Sequence, residues 1–102
     1  MNRFGVFFKI KPGKREEYIR RHAEVWPQMR SVLDAAGYRN YSIWNLGEDL
    51  FAYYEMSDLA RAEQVLAQSA VYAQWRKEME EYILIDENGQ KEWPMQMVFY
   101  QE

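Results

Sequence analysis

The 102-residue sequence contains no cysteine and only one histidine, His22. Without cysteine, disulfides, thiolate catalysis and most structural zinc sites are excluded. A single histidine also argues against a tight transition-metal site, and we predict neither a metal nor any other cofactor. No apolar stretch approaches the roughly 20 residues that a membrane-spanning helix needs. The remaining chemistry must therefore come from imidazole, hydroxyl, carboxylate and cationic side chains.

A strong excess of one charge sign is also absent. The net charge is −3, from 13 basic and 16 acidic residues mixed along the chain. No basic patch emerges that could hold a phosphate backbone, so we expect no nucleic-acid partner. The first residues lack the apolar segment and cleavage site of a signal peptide, and no membrane partner is indicated. We therefore expect a cytoplasmic protein.

Aromatic residues, in contrast, are abundant at 17%, with eight Tyr, five Phe and four Trp. The hydrophobic fraction of 48% is sufficient for a core, and the length predicts a single domain over residues 1–102. Aromatic side chains can fill a core, cover an oligomer interface or line a pocket. Composition alone does not choose among these three uses.

Hydrophobic periodicity predicts an alternation of strands and helices. Pro27 should kink or break the first helix near Glu24–Trp26, since proline lacks an N–H and crowds the carbonyl of Ala23. Gly37 is expected to end that helix. The predicted strands are residues 3–11, 38–46, 49–56 and 95–100, and the predicted helices are Lys14–Ala36, Leu59–Ala67 and Ala70 to about Tyr82.

This order indicates an α+β fold of the ferredoxin-like, split βαβ type, with an antiparallel sheet and helices on one face. Bulky residues nevertheless occupy both faces of the strands, as in the neighbours Phe7 and Phe8, or Tyr53 and Tyr54. A strand that is apolar on both faces requires cover on both. We therefore predict a homodimer that associates through its sheets into a dimeric α+β barrel.

The most informative pair of residues is Tyr18 and His22, which are four apart and therefore share one face of the first helix. Imidazole has an unperturbed pKa near ~6.5, so His22 is the first candidate for proton transfer near neutral pH. The alternative is a core histidine that is satisfied by a neighbouring group. Tyr41 and Trp75 are similarly open to a packing role or a ligand-binding role.

These residues favour acid–base chemistry in an aromatic pocket. Aromatic walls suit a monosaccharide, whose C–H faces are apolar while its rim requires hydrogen-bonding partners. No phosphate-binding glycine loop or nucleophile triad is present.

Four segments resemble the L-rhamnose mutarotase family. Residues Tyr18–Pro27 match its Y-x-x-R-H-x-x-[IV]-W-P signature, and Asn40–Ile43 are similar to its N-Y-S/A-I strand. Leu50–Phe51 and Val98–Phe99 resemble its L-F and closing V-F pairs. The matching segments span nearly the whole chain with the spacing of the family.

The resemblance implies a homodimeric enzyme that interconverts the α and β anomers of L-rhamnose without a cofactor. It implies that His22 is the catalytic proton donor, and that Tyr18, Tyr41 and Trp75 bind the sugar. Arg76 stands where the family has a second tryptophan, and it either contacts the substrate or points to solvent. Asp86–Gln90 also replaces the N-P-D-N-S-P segment of the family. These departures leave L-fucose or a related aldose open as the substrate.

Two other functions remain open. A dimeric α+β barrel monooxygenase of the haem-degrading type would use His22 as an iron ligand. A non-catalytic module would bind a small ligand without converting it, since a fold does not by itself fix a function.

Overall fold

The computed structural model describes residues 1–102, and it contains one four-stranded sheet and four helices. The strand order is β2-β3-β1-β4, and every neighbouring pair is antiparallel. This is the split βαβ arrangement that the sequence predicts. The elements are β1 (Asn2–Lys9), α1 (Arg15–Ala23), α2 (Pro27–Ala36), β2 (Arg39–Leu46), β3 (Asp49–Met56), α3 (Leu59–Ala67), α4 (Ala70–Met79) and β4 (Trp93–Met95).

The first predicted helix is divided in two by Pro27, as expected. Pro27 occupies the first turn of α2, where its missing N–H costs nothing, and Trp26 before it is extended with φ −62° and ψ 138°. The second half ends at Gly37, whose φ of 94° lies in the left-handed region that glycine tolerates best. The break falls about one helical turn after His22.

One face of the sheet packs against the helices and carries the core. Within β1 the alternation is as predicted, because Phe4 and Phe8 face the helices while Phe7 faces the opposite side. The main core cluster joins the sheet to α1, α2 and α4. Its buried members are Ile10, Tyr18, Met29, Leu50, Trp75, Met79, Tyr82 and Ile83.

The opposite face of the sheet has no helical cover. On this surface, Phe7 lies with its ring centroid 5.3 Å from that of Phe51 and 6.2 Å from that of Trp93. Trp44 is paired with Phe51 in the register and is 69% exposed. This surface, the outer face of the sheet, consists of Phe7, Trp44, Phe51, Trp93 and Met95.

The prediction of a last strand over residues 95–100 is wrong. β4 is shorter and earlier, and it pairs only with Gly5–Phe7 of β1. The chain leaves the sheet after Met95, and the ring of Tyr100 instead lies under the guanidinium of Arg3, at 4.0 Å. The alternating apolar residues that suggested a strand have no surface within one chain to bury them, and Val98 and Phe99 are 89% and 78% exposed.

Two helices begin after a residue whose side chain caps them. The side chain of Asp58 accepts a hydrogen bond from the Arg61 N–H at 3.0 Å, and Ser69 accepts one from the Tyr72 N–H at the same distance. α4 ends at Met79, three residues before its predicted end, and the following turn brings Ile83 into a bridge with Ile10.

Candidate functional site

A cavity of about 330 Å³ lies between the helix-covered side of the sheet and helices α1, α2 and α4. All five residues that the sequence singles out line it, namely Tyr18, His22, Tyr41, Trp75 and Arg76. Met29, Leu33 and Ile43 supply apolar parts of its wall. The volume lies at the small end of the range for ligand pockets.

His22 and Tyr18 lie side by side on α1. Their ring centroids are 4.1 Å apart, and the His22 Nδ1 lies 3.0 Å from the backbone carbonyl oxygen of Tyr18. A carbonyl oxygen only accepts, so this contact places the proton of the neutral ring on Nδ1 and leaves a lone pair on Nε2. Nε2 makes no hydrogen bond to the protein.

Burial favours the neutral form of this histidine. The pKa of His22 is lowered from its ordinary value mainly by desolvation, and the charge of Arg21 acts in the same direction. The hydrogen bond to the Tyr18 carbonyl partly opposes these two effects. The ring is therefore neutral at pH 7, with its acceptor nitrogen available.

Trp75 fixes the His22 ring from the side of α4. It is only 6% exposed, and its ring meets those of His22 and Trp26 edge to face, with centroids 5.4 and 5.2 Å away. Arg21 lies 5.8 Å from the centre of the Trp75 ring and donates to Glu78 at 2.6 Å. The ion pair ties α1 to α4 next to the histidine.

Tyr41 enters the cavity from β2 at an irregularity of the strand. The register shifts between Arg39 and Ser42, and Asn40 has a φ of 51°. The bulge lets Tyr41 stack on Tyr38, with the ring centroids 5.2 Å apart.

Tyr18 and Tyr41 present protonated phenols to the cavity. Burial raises the pKa of both hydroxyls above the ordinary value, and for Tyr41 the neighbouring phenols of Tyr18, Tyr72 and Tyr54 add to the effect. Tyr41 remains 41% exposed as a whole residue, and part of that surface lines the cavity. Both hydroxyls are therefore neutral and able to donate or accept a hydrogen bond.

Arg76 lies in the cavity wall and is half-buried. Its Nη1 donates to the Tyr72 hydroxyl at 2.7 Å. Burial acts to lower the pKa of Arg76, but the hydrogen-bonded Tyr72 and the carboxylate of Glu92 outweigh it, and the pKa is raised. The guanidinium therefore stays charged at the edge of the cavity.

Sequence reasoning missed six polar residues of the wall, namely Arg30, Tyr38, Tyr72, Glu80, Lys91 and Glu92. Tyr72 carried a usable signal, since it precedes Arg76 by four residues on one helix face. Glu92 carried none, because it lies in the irregular segment between α4 and β4, whose path only the folded chain defines.

The chain holds no group of three or more His, Cys, Asp or Glu side chains placed to coordinate a metal ion. None of its helices has both the length and the apolar character needed to cross a membrane.

Comparison with solved structures first shows the fold class. A structure described as a putative antibiotic biosynthesis monooxygenase from Nitrosomonas europaea superimposes with a TM-score of 0.63 at 12% identity, covering 91% of this chain and 84% of that one. At this identity the likeness concerns the fold alone, so it does not favour the monooxygenase alternative. The crystal structure of L-rhamnose mutarotase FA22100 from Formosa agariphila matches better, with a TM-score of 0.82, 25% identity and complete coverage of both chains.

The sequence comparisons agree with that structural match. A sequence model described as L-rhamnose mutarotase matches residues 3–101. The L-rhamnose mutarotase of Listeria monocytogenes serovar 1/2a is 38% identical over 78% of this chain and 77% of its own length. That of Cronobacter sakazakii is 34% identical over the full length of both chains.

Together, the sheet topology and the aromatic cavity around one histidine define a small ferredoxin-like α+β enzyme. The chain belongs to the L-rhamnose mutarotase family, a family of isomerases that interconvert the anomers of this sugar.

Proposed function

We propose that this protein is an L-rhamnose mutarotase that uses His22 to open and close the pyranose ring. The observation that carries the proposal is the placement of the imidazole, which is anchored through Nδ1 and makes no hydrogen bond to the protein at Nε2, in a cavity of about 330 Å³. A positioned acid or base of this kind contributes about 10²–10⁴ in rate. That gain suits a reaction that already proceeds slowly in water.

The mechanism needs one proton removed from the anomeric hydroxyl and one delivered to the ring oxygen. Nε2 of His22 accepts the proton of the anomeric hydroxyl, the C1–O bond to the ring oxygen breaks, and the aldehyde forms. The imidazolium then donates that proton to the ring oxygen, which gives the open chain. Rotation about C1–C2 and the reverse sequence produce the other anomer. Because both oxygens are attached to C1, a single nitrogen can serve as acceptor and donor.

The aromatic walls hold the sugar for this step. Tyr18 and Tyr41 are neutral phenols that can hydrogen-bond to ring hydroxyls, and Trp75 contributes an apolar part of the wall on which C–H groups can pack. The ring of Trp75 also restricts His22, so the imidazole and the sugar share one rigid wall. Pre-positioning of this kind lowers the entropic cost of reaching the reactive geometry.

The direct test is anomer exchange measured by saturation-transfer NMR on L-rhamnose, L-fucose and D-glucose. L-Rhamnose should exchange faster with the protein than in matched buffer, and the other sugars show how narrow the selectivity is. A shift of the sugar resonances without any acceleration would support the non-catalytic binding module and contradict the proposal.

We also propose that the protein acts as a homodimer joined through the outer face. Phe7, Phe51 and Trp93 form a packed aromatic group there, and Trp44 beside them is largely exposed. A monomer seldom exposes an apolar surface of this kind. A second copy offers the same apolar surface, so two sheets can cover each other around a two-fold axis.

A further inference from the structure

Part of the cavity wall is polar and is not used by the proton-transfer step. Tyr72 and Arg76 contribute to it from α4, and Glu92 contributes from the segment before β4. The three residues line the same cavity as His22. They therefore lie within reach of the ligand that occupies it.

The geometry fixes the direction of the Arg76 guanidinium. Its Nη1 donates to the Tyr72 hydroxyl at 2.7 Å, one turn earlier on α4, and its carbon lies 5.6 Å from the centre of the Tyr72 ring. A guanidinium carries five N–H donors in a rigid fork, and this is the only hydrogen bond that the Arg76 guanidinium makes to the protein. Four N–H groups remain for a ligand or water.

Glu92 has the opposite charge to the Arg76 guanidinium but does not form an ion pair with it. The two side chains form no direct ion pair, although both line the cavity. Glu92 lines the same cavity as Arg76, Tyr38 and Tyr41, and its charge raises the pKa of all three. A donor fork and an acceptor carboxylate thus border one cavity with a gap between them.

The ligand that satisfies both groups is a neutral diol. A hydroxyl can accept from Arg76 while its neighbour donates to Glu92, whereas a carboxylate can only accept and would be repelled by Glu92. The other charged residues that line the cavity also carry both signs, since Arg30 and Lys91 are basic and Glu80 is acidic.

We propose that Tyr72, Arg76 and Glu92 form a hydroxyl-pair subsite, in which Arg76 and Glu92 bind two adjacent hydroxyls of a neutral aldose. Tyr72 is a positioning residue that orients the Arg76 fork. The subsite rests on the proposed function for its position on a sugar, and it makes the selectivity of the enzyme depend on ring hydroxyls other than the anomeric one.

The test measures binding of L-rhamnose and its 2-deoxy, 3-deoxy and 4-deoxy analogues by NMR titration. Wild-type protein should bind at least one deoxy analogue about tenfold more weakly than L-rhamnose, since a hydrogen bond to a charged group is lost. Arg76→Met and Glu92→Gln should each weaken L-rhamnose binding by a similar factor. On the analogue that lacks the matching hydroxyl, the same substitution should have little further effect.

Two additional variants separate recognition from a structural role. Tyr72→Phe keeps the aromatic ring and removes the hydroxyl, so it should reduce the discrimination among the four sugars rather than lower all four affinities equally. Glu63→Gln makes the same chemical change as Glu92→Gln on an exposed part of α3 and should leave every affinity unchanged.

Binding and exchange are scored separately, so the two proposals fail independently. Equal losses of binding affinity for all four sugars in the Arg76 and Glu92 variants would overturn the subsite. The subsite would also be overturned if the wild-type protein bound none of the four sugars. If the wild type accelerates exchange but binds every analogue alike, the subsite is wrong while the mutarotase activity stands. Losses of affinity that differ among the sugars, in a protein that does not accelerate anomer exchange, would support the subsite and contradict the mutarotase activity.

Discussion

The two faces of the sheet make opposite uses of the same residue types. On β3, Leu50 faces the helices and is 1% exposed, whereas Phe51 next to it faces outward and is 37% exposed. The helix-covered face combines aromatic rings with phenol hydroxyls and one imidazole, and it encloses a cavity. The outer face carries aromatic rings and methionine, and none of its residues lines that cavity.

The difference shows why aromatic composition could not be assigned to one role. In a strand, neighbouring residues face opposite sides, so alternate aromatic side chains enter different environments. Those that meet the broken helix α1–α2 line a site, and those on the bare face form a candidate interface. Substitutions in the site on the helix-covered face should therefore leave self-association unchanged, and substitutions on the outer face should leave the site unchanged.

The largest expected effect is on catalysis from the helix-covered face. His22→Ala should lower the protein-dependent rate of L-rhamnose anomer exchange by about 10²–10⁴, because the group that accepts and returns the proton is removed. Saturation-transfer NMR measures the rate, and circular dichroism monitors the fold. Sedimentation should show the same oligomeric state as the wild type. A variant that exchanges anomers at the wild-type rate would remove His22 from the mechanism.

A substitution inside the core should affect the whole domain. Leu50→Ala leaves a cavity among residues that are almost completely buried, and it should lower the free energy of unfolding by about 2–5 kcal/mol. Urea denaturation provides the measurement. Leu59→Ala, at a 43% exposed position of α3, is the control and should change stability far less. Equal losses in the two variants would contradict the assignment of the core.

The role of the outer face in self-association can be tested by itself. Phe51→Glu places a charge in the middle of the aromatic group and should weaken self-association by at least tenfold, because a buried unpaired charge is costly. Analytical ultracentrifugation over a concentration series measures this change. Leu59→Glu introduces the same charge on a helix surface and should leave association intact. An unaltered dimer in Phe51→Glu protein would exclude the outer face as the interface.

The smallest expected effect is a displacement of the pH profile. Because the pKa of His22 is lowered, the neutral base persists below pH 6.5, and exchange should fall only at more acidic pH. Arg21→Gln removes one cause of the lowered His22 pKa, so the acidic limb of the rate profile should move to higher pH. Arg20→Gln, on the adjacent exposed arginine, should leave the limb in place.

The same shift has a consequence for stability. An unfolded histidine binds a proton near pH ~6.5, while folded His22 does so only at lower pH. The unfolded state therefore binds more protons as the pH falls below 6.5, and the folded state loses stability in that window. His22→Ala should remove this contribution to the pH dependence of unfolding.

The sequence by itself determined the order of the elements, the break at Pro27 and the pairing of Tyr18 with His22. Each depends on local periodicity or on the missing N–H of proline, which act within one or two helical turns. The tertiary structure decided the rest. It brings Tyr41, Tyr72 and Glu92 from separate parts of the chain to one cavity. It also ends β4 at Met95, because a strand forms only where a neighbour supplies hydrogen bonds and apolar cover, and periodicity does not reveal that neighbour.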